Sequence, residues 1–368
     1  MNQGIYSIIT GTGSYIPAEI IPNEHFLKQD FYEDKKKIET PNEEIIRKFE
    51  EITGIKERRY VQNNQVTSDI AYEAAKDCLE SSQTDKESLD YIIVANNYGD
   101  VRAGTTIPDL VPSIASRVKN KLEIENPKTI AYDIAFGCPG WLQGVIQADY
   151  YIKSGDAQKI LVIGAETLSR IKDSYDRDSM IFADGAGAAL IEARYNRSIV
   201  PGIRTSEEPV GILSHASRTD SSLARLLKMD KSLNPEYKNN DLFLRMEGHE
   251  VFEYGVKTVR YVVKEALDKA GLSITDVNKV LLHQANERMD RKILEWVYKL
   301  YGIKDIPEYA MPMTISWLGN SSVATLPTML DLMLKGKLNN HNIKNNDIIL
   351  FSSIGAGMNI NAVVYKNA

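Results

Sequence analysis

Cys138 sits where an apolar, strand-like run meets a glycine and a proline, in YDIAFGCPGWLQG (residues 132–144). The proline suits the first turn of a helix, and Trp141, Leu142, Val145, Ile146 and Tyr150 follow at helical spacing, so a helix is expected just after the cysteine. A thiol in that place faces unpaired backbone N–H groups and the positive end of a helix dipole. Both favour the thiolate, which is the nucleophilic form. The only other cysteine, Cys78, falls within a helical pattern and fits the plainer use of the residue as a small core filler.

A nucleophilic cysteine needs helpers. In VLLHQANERMDRK (280–292), His283 ends an apolar strand and precedes a helical stretch, the edge where α/β folds place catalytic groups. The other histidines, His25, His215, His249 and His341, lie in polar, surface-like contexts. In ISWLGNSSVATLP (315–327), Asn320 follows a glycine and precedes an apolar helical segment; its ordinary use there is a helix N-cap, its chemical use a neutral side-chain donor.

The elements that carry these residues alternate between helical and strand patterns, which indicates an α/β class. They also repeat. Residues 75–94 align without a gap on 263–282, at an offset of 188: Lys76 meets Lys264, Leu79 meets Leu267, and Ile92, Ile93, Val94 meet Val280, Leu281, Leu282. Cys78 meets Ala266. A second match pairs DGAGAALI (184–191) with IGAGMNIN (354–361), read as a glycine turn entering a strand, and a third pairs Gly137–Cys138 with Gly319–Asn320. Three matches in one order indicate a duplicated unit whose join lies in the polar stretch 194–241. A pseudo-twofold arrangement of the halves would bring Cys138 and Asn320 together.

With 368 residues, 43% of them hydrophobic and 26% charged, the chain can bury a large core. Two cysteines make no disulfide framework, and no CxxC or HExxH spacing indicates a metal. The net charge of −6 argues against nucleic acid as the main partner. No basic segment precedes a long apolar run at the N-terminus, and no stretch is apolar enough to span a bilayer, so a cytoplasmic protein without membrane insertion is expected.

Cys138, His283 and Asn320 together resemble the thiolase-fold condensing enzymes, most closely the β-ketoacyl-acyl-carrier-protein synthase III family. The likeness runs from GTGSYIP (11–17) and TGIKERR (53–59) through the cysteine segment, IKSGD (152–156), DGAGAA (184–189), GHEVF (248–252), HQAN (283–286) and GNSS (319–322) to GAG (355–357). The resemblance implies that Cys138 takes an acyl group from a thioester, after which a malonyl-type thioester loses carbon dioxide and its carbanion attacks that acyl group. His283 and Asn320 would donate to the developing enolate oxygen, and the backbone N–H groups of Cys138 and Ala356 would form the oxyanion hole. Arg177 and Arg288 match family residues used for the nucleotide or the carrier protein, and Arg291 and Lys292 stand beside Arg288. Val111 matches the position of an aromatic residue that caps the acyl pocket across a dimer.

The departures are as informative. Where the family holds the coenzyme A adenine with a tryptophan and an arginine, KFEEITGI (48–55) has Lys48 and Ile52, which favours a carrier-bound donor. A thiolase would want a second cysteine near GAGMN, and a hydroxymethylglutaryl-coenzyme A synthase a glutamate after the strand at 91–96, where Asn96 and Asn97 stand. Two segments look inserted: 28–41, read as a polar surface excursion, and 97–109.

The expectation is therefore a five-layer αβαβα thiolase fold of two halves, 1–195 with the cysteine and 196–368 with the histidine and asparagine, forming a homodimer. It would use an acyl-CoA or acyl-carrier donor, a malonyl-carrier-type extender and an acyl carrier protein, with no cofactor and no metal. The alternatives are a specialised condensing enzyme or acyltransferase of secondary metabolism, of the dialkylresorcinol kind with longer acyl chains, and a partner subunit of a heteromeric synthase. The intact Cys, His and Asn set counts against the last.

Overall fold

The computed structural model describes residues 4–195 and 208–368. The expected join at 195/196 borders residues outside that range. Five strands form one sheet: β1 (Ile5–Tyr15), β2 (Tyr91–Ala95), β3 (Ile130–Ile134), β4 (Lys159–Thr167) and β5 (Asp184–Tyr195), in the order β1-β5-β4-β2-β3. A second sheet has the order β6-β9-β8-β7, from β6 (Gly211–Thr219), β7 (Lys279–Leu282), β8 (Ile348–Gly355) and β9 (Asn359–Lys366). In each, an antiparallel trio is continued by a parallel strand. Where the first sheet adds β3, the second has the Ala310 carbonyl, which accepts from Val280 N at 2.8 Å.

The strands read as near-continuous apolar runs because both faces are covered. Alternate residues divide between two layers. Ile93, Ile160, Val162, Ile349, Phe351 and Val363 point inward onto α4 (Gly140–Ser154) and α8 (Thr325–Leu334), which are apolar nearly all round and form the middle layer. Ile92, Val94, Leu161 and Ile163 face outward onto α2 (Thr67–Ser82) and α3 (Ile114–Lys121). Val280, Leu282, Leu350 and Val364 face α5 (Gly248–Ala270) and α6 (Glu287–Leu300) on the opposite outside. The five layers αβαβα follow from this alternation, and Cys78 lies fully buried in the first outer layer. No helix among the described residues is long and apolar enough to cross a membrane.

The offset of 188 carries over to the boundaries: α2 ends at Ser82 and α5 at Ala270, and β2 starts at Tyr91 and β7 at Lys279. The glycine match does not carry over. Residues 184–187 are already within β5, paired to β1 and β4, whereas 356–358 form the turn that precedes β9. The connection before β5 is the long segment 168–183, so GAG has no counterpart there. The 28–41 segment is more than a polar excursion, since it forms a hairpin of Tyr32–Glu33 with Lys36–Lys37 and buries Phe31 beside α1 (Asn42–Thr53).

Candidate active site

Cys138 follows β3 and immediately precedes Pro139 and α4. Gly137 makes this turn possible. Its φ of +63° is a conformation that side chains resist, and a Cβ there would stand 2.5 Å from Ala356 N. Gly355 answers from the other half, where a Cβ would stand 2.4 Å from Cys138 N. The bare backbones of the two loops thus pack on each other beside Cys138.

Asn320 reaches the same place by a different route. Its N–H donates to the Ile181 carbonyl (2.9 Å) and its carbonyl accepts from Ala183 N (2.8 Å), which ties the loop of the second half to the end of the first. The N-cap reading of this residue is overturned, because α8 starts five residues later with Ala324 in the cap position. Asn320 Oδ1 instead accepts from Ser322 N at 2.9 Å, and Ser322 Oγ lies 3.4 Å from Cys138 Sγ. Asn320 Nδ2 makes no hydrogen bond among the described residues and is left for a ligand.

His283 extends β7 by one residue, with its N–H donating to the Ser352 carbonyl of β8 at 2.9 Å. Three residues further along, β8 runs into Gly355, so His283 stands on the edge that meets Cys138. Gln284, fully buried, fixes the spacing to the asparagine loop: Oε1 accepts from Thr314 N (3.0 Å) and Ile315 N (3.3 Å), at the start of α7 (Ile315–Leu318). Asn286 caps α6 by accepting from Met289 N. HQAN is thus one site residue, one staple and one cap. Ser322 and Gln284 lie inside the motifs GNSS and HQAN, but their roles depend on partners 184 and about 30 positions away.

Burial changes the expected electrostatics. It pushes the Cys138 thiol up to about 11, against the Ser322 hydrogen bond that favours the thiolate and together with the nearby Glu166 carboxyl that disfavours it. Burial thus outweighs the Ser322 hydrogen bond and favours the neutral thiol at Cys138, which stays partly exposed. Burial also lowers His283 to about 4, so the imidazole is neutral at pH 7. The expected result is that alkylation of Cys138 by iodoacetamide climbs about tenfold per pH unit from 7 to 10 without a plateau. Ser322→Ala should slow it by about fivefold, the worth of one hydrogen bond of about 1 kcal/mol. Mass-spectrometric rates at Cys138 test both, and a plateau below pH 8.5 would contradict the buried-thiol account.

The remaining sequence candidates lie on the surface. Arg177 pairs with Glu33 of the inserted hairpin at 2.7 Å. Arg288 is exposed in the first turn of α6 with no ion pair among the described residues, whereas Arg291 and Lys292 are held by Glu287 (2.6 Å) and Glu295 (2.9 Å). Val111 is 85% exposed beside Leu110 and Ile107, so it lines no pocket of its own chain.

Residues 132–205 match the family described as 3-oxoacyl-[acyl-carrier-protein] synthase III, and residues 267–367 match its C-terminal counterpart. A β-ketoacyl-[acyl-carrier-protein] synthase III of Xanthomonas campestris pv. campestris is 34% identical over 362 residues, 97% of each chain. Among solved structures, the 3-oxoacyl-[acyl-carrier-protein] synthase III of Aquifex aeolicus superposes with a TM-score of 0.77 at 31% identity, over 98% of this chain and 99% of that one. The synthase III of Thermus thermophilus gives 0.77 at 29% identity, with the same coverage.

Proposed function

Because the chain belongs to the 3-oxoacyl-[acyl-carrier-protein] synthase III family, we propose that it is acylated on Cys138 and condenses that acyl group with a malonyl-carrier-type thioester by decarboxylation. The observation that carries this reading is the contact of both halves at one sulfur: Ser322 Oγ of the asparagine loop at 3.4 Å, and the Gly355–Ala356 backbone packed on Cys138. In the first half-reaction the Cys138 sulfur attacks a thioester carbonyl, the Cys138 and Ala356 amides receive the oxyanion, and the donor's C–S bond breaks so that the carrier leaves as a thiol bearing the proton given up by Cys138. In the second, carbon dioxide leaves the extender, the enolate oxygen takes hydrogen bonds from His283 Nε2 and Asn320 Nδ2, and the enolate carbon attacks the acyl carbonyl, breaking its bond to Cys138, whose thiolate leaves and takes a proton from water. Both donors are neutral, so neither adds charge to a buried site. Pairing of the residues 1–195 and 196–368 as two half-sites is part of the same proposal.

The surface features favour a carrier-bound donor over coenzyme A. Lys48 is engaged by Glu44 (2.7 Å), Ile52 is half exposed, and Arg177 is already paired to Glu33, so no free ring-and-guanidinium clamp is presented. Arg288, exposed and without an ion pair among the described residues, is open to an acidic carrier protein. A homodimer would form along the edge strand β3, where Ile130 is exposed, and would cover Ile107, Leu110 and Val111, placing Val111 against the partner's acyl pocket.

The test follows the mass of the intact protein with octanoyl-coenzyme A and octanoyl-carrier protein, then adds malonyl-carrier protein. The expected sequence is gain of one octanoyl group, then its discharge with release of carbon dioxide. Arg288→Glu should lower kcat/KM for carrier substrates by about tenfold at low salt and leave a short thioester mimic unchanged, because the charge steers only the protein partner. Discharge without carbon dioxide would point to plain acyl transfer, and equal losses for both substrates would remove Arg288 from carrier docking.

A further inference from the structure

Glu166 is the penultimate residue of β4 and is fully buried, yet no lysine, arginine or histidine among the described residues pairs with it. Its partners are all on the turn that leaves β2. Asn97 Nδ2 donates to Glu166 Oε2 at 2.8 Å, and Asn97 N–H is shared between the two carboxyl oxygens at 3.3 Å each. The other end of the same amide accepts from Gly137 N at 2.9 Å. With a carboxyl oxygen accepting on one side and a backbone N–H donating on the other, the Asn97 amide is satisfied at both ends in this orientation, and a flip would set Nδ2 against the Gly137 N–H.

The turn is pinned on either side of Asn97. Asn96 N–H donates to the Ile134 carbonyl (3.1 Å), continuing the β2–β3 pairing, and Asn96 Oδ1 accepts from Gly99 N (3.0 Å). Burial raises the Glu166 carboxyl to about 8, against the Asn97 hydrogen bonds that favour the carboxylate, so the neutral carboxyl accepts from Asn97 at pH 7 and the ionised one holds both Asn97 donors more strongly above it. Asn97 in turn accepts from Gly137, the residue that hands the chain to Cys138, at the point where Gly137 abuts Ala356.

We propose that Glu166 and Asn97 form a positioning relay that holds the Gly137 amide and thereby fixes the Cys138 backbone and thiol against the oxyanion donors. The relay rests on the reading of Cys138 as the acylated residue. Neither side chain needs to touch the substrate. Their effect is on the limiting rate of acylation, because binding of the acyl donor is made elsewhere.

The experiment measures octanoylation of Cys138 by octanoyl-coenzyme A over a concentration series, by intact mass. Glu166→Ala and Asn97→Ala should each lower the limiting rate by about 10²-fold, the scale of a misplacement near 1 Å, with half-saturation changed by less than about twofold. The double variant should be no more than about threefold slower than either single one, because both cut the same relay. Glu166→Gln, which keeps an acceptor for Asn97 Nδ2, should recover to within about tenfold of the unsubstituted rate. Multiplying effects in the double variant, full rates in the single ones, or a Glu166→Gln protein as slow as Glu166→Ala would overturn the relay. If Glu166→Ala does not fold, the comparison is Asn97→Ala with Glu166→Gln: slow with fast supports the relay and any other pairing overturns it. An unsubstituted protein that takes up no acyl group at Cys138 would overturn the reading of the site itself, which separates that failure from failure of the relay.

Discussion

Cys138→Ala is expected to abolish acylation and condensation together, whereas His283→Ala and Asn320→Ala should still load an acyl group and then fail to condense it. The division follows from where the groups stand. The sulfur alone can hold the acyl chain, and the Cys138 and Ala356 amides that assist its attack are backbone, so substitutions at His283 or Asn320 leave them in place. His283 is held through its backbone by Ser352 and Asn320 by Ile181 and Ala183, while among the described residues His283 Nδ1 has no partner and Asn320 Nδ2 makes no hydrogen bond. Losing one such donor costs about 10² to 10³ in the decarboxylating step. Single-turnover assays that follow the protein's mass and carbon dioxide separately would read each half-reaction. A Cys138→Ala protein that forms product by the same route would refute the assignment, as would a His283→Ala protein that loses acylation and condensation equally.

Gly355→Ala should be nearly as damaging, without any chemical group being removed. The backbone of Gly355 is extended, so alanine suffers no conformational strain there; the obstacle is space. The added methyl would lie 2.4 Å from Cys138 N, 2.8 Å from Pro139 Cδ and 2.9 Å from Cys138 Cβ, which are backbone or ring-bound atoms that cannot swing aside. The two loops must part by about 1 Å, and the Ala356 amide leaves the oxyanion with them, so acylation should fall by about 10²-fold. Gly271→Ala is the comparison: φ there is +69° with open space around it, so it should cost about 1 kcal/mol of stability and no activity. Thermal melts run beside acylation rates separate the two effects. A Gly355→Ala enzyme with full activity would mean that the glycine contact does not set the oxyanion geometry.

The α/β class and the duplication were legible because the strands are buried on both faces and the helix–turn–strand unit recurs at a constant offset, whereas the five-layer arrangement followed from the family resemblance. Cys138, His283 and Asn320 could be picked out because each stands where a strand-like run or a glycine hands over to a helix. The rest of the site depends on partners brought together by the tertiary fold. Ser322 reaches the sulfur from the other half, Glu166 acts from a strand that contributes nothing else to the centre, and Gln284 is meaningful only once residues 312–315 are beside it. The burial that raises the Cys138 thiol was hidden for the same reason, since desolvation depends on everything packed around the residue. The hairpin at 28–41 was misread because its charges dominate its composition while a single phenylalanine anchors it.

The protonated resting state of Cys138 also bears on how the enzyme survives between turnovers. With the thiol raised to about 11, only about one molecule in 10⁴ carries a thiolate at pH 7. Hydrogen peroxide oxidises thiolates and leaves thiols almost untouched, so the idle centre offers oxidants little to attack. Cys78, buried in an outer layer with its own thiol pushed further up, is no resolving partner that could rescue a sulfenic acid. A sulfenic acid formed at Cys138 would therefore depend on an external thiol for its reduction, which the partial exposure of Cys138 permits.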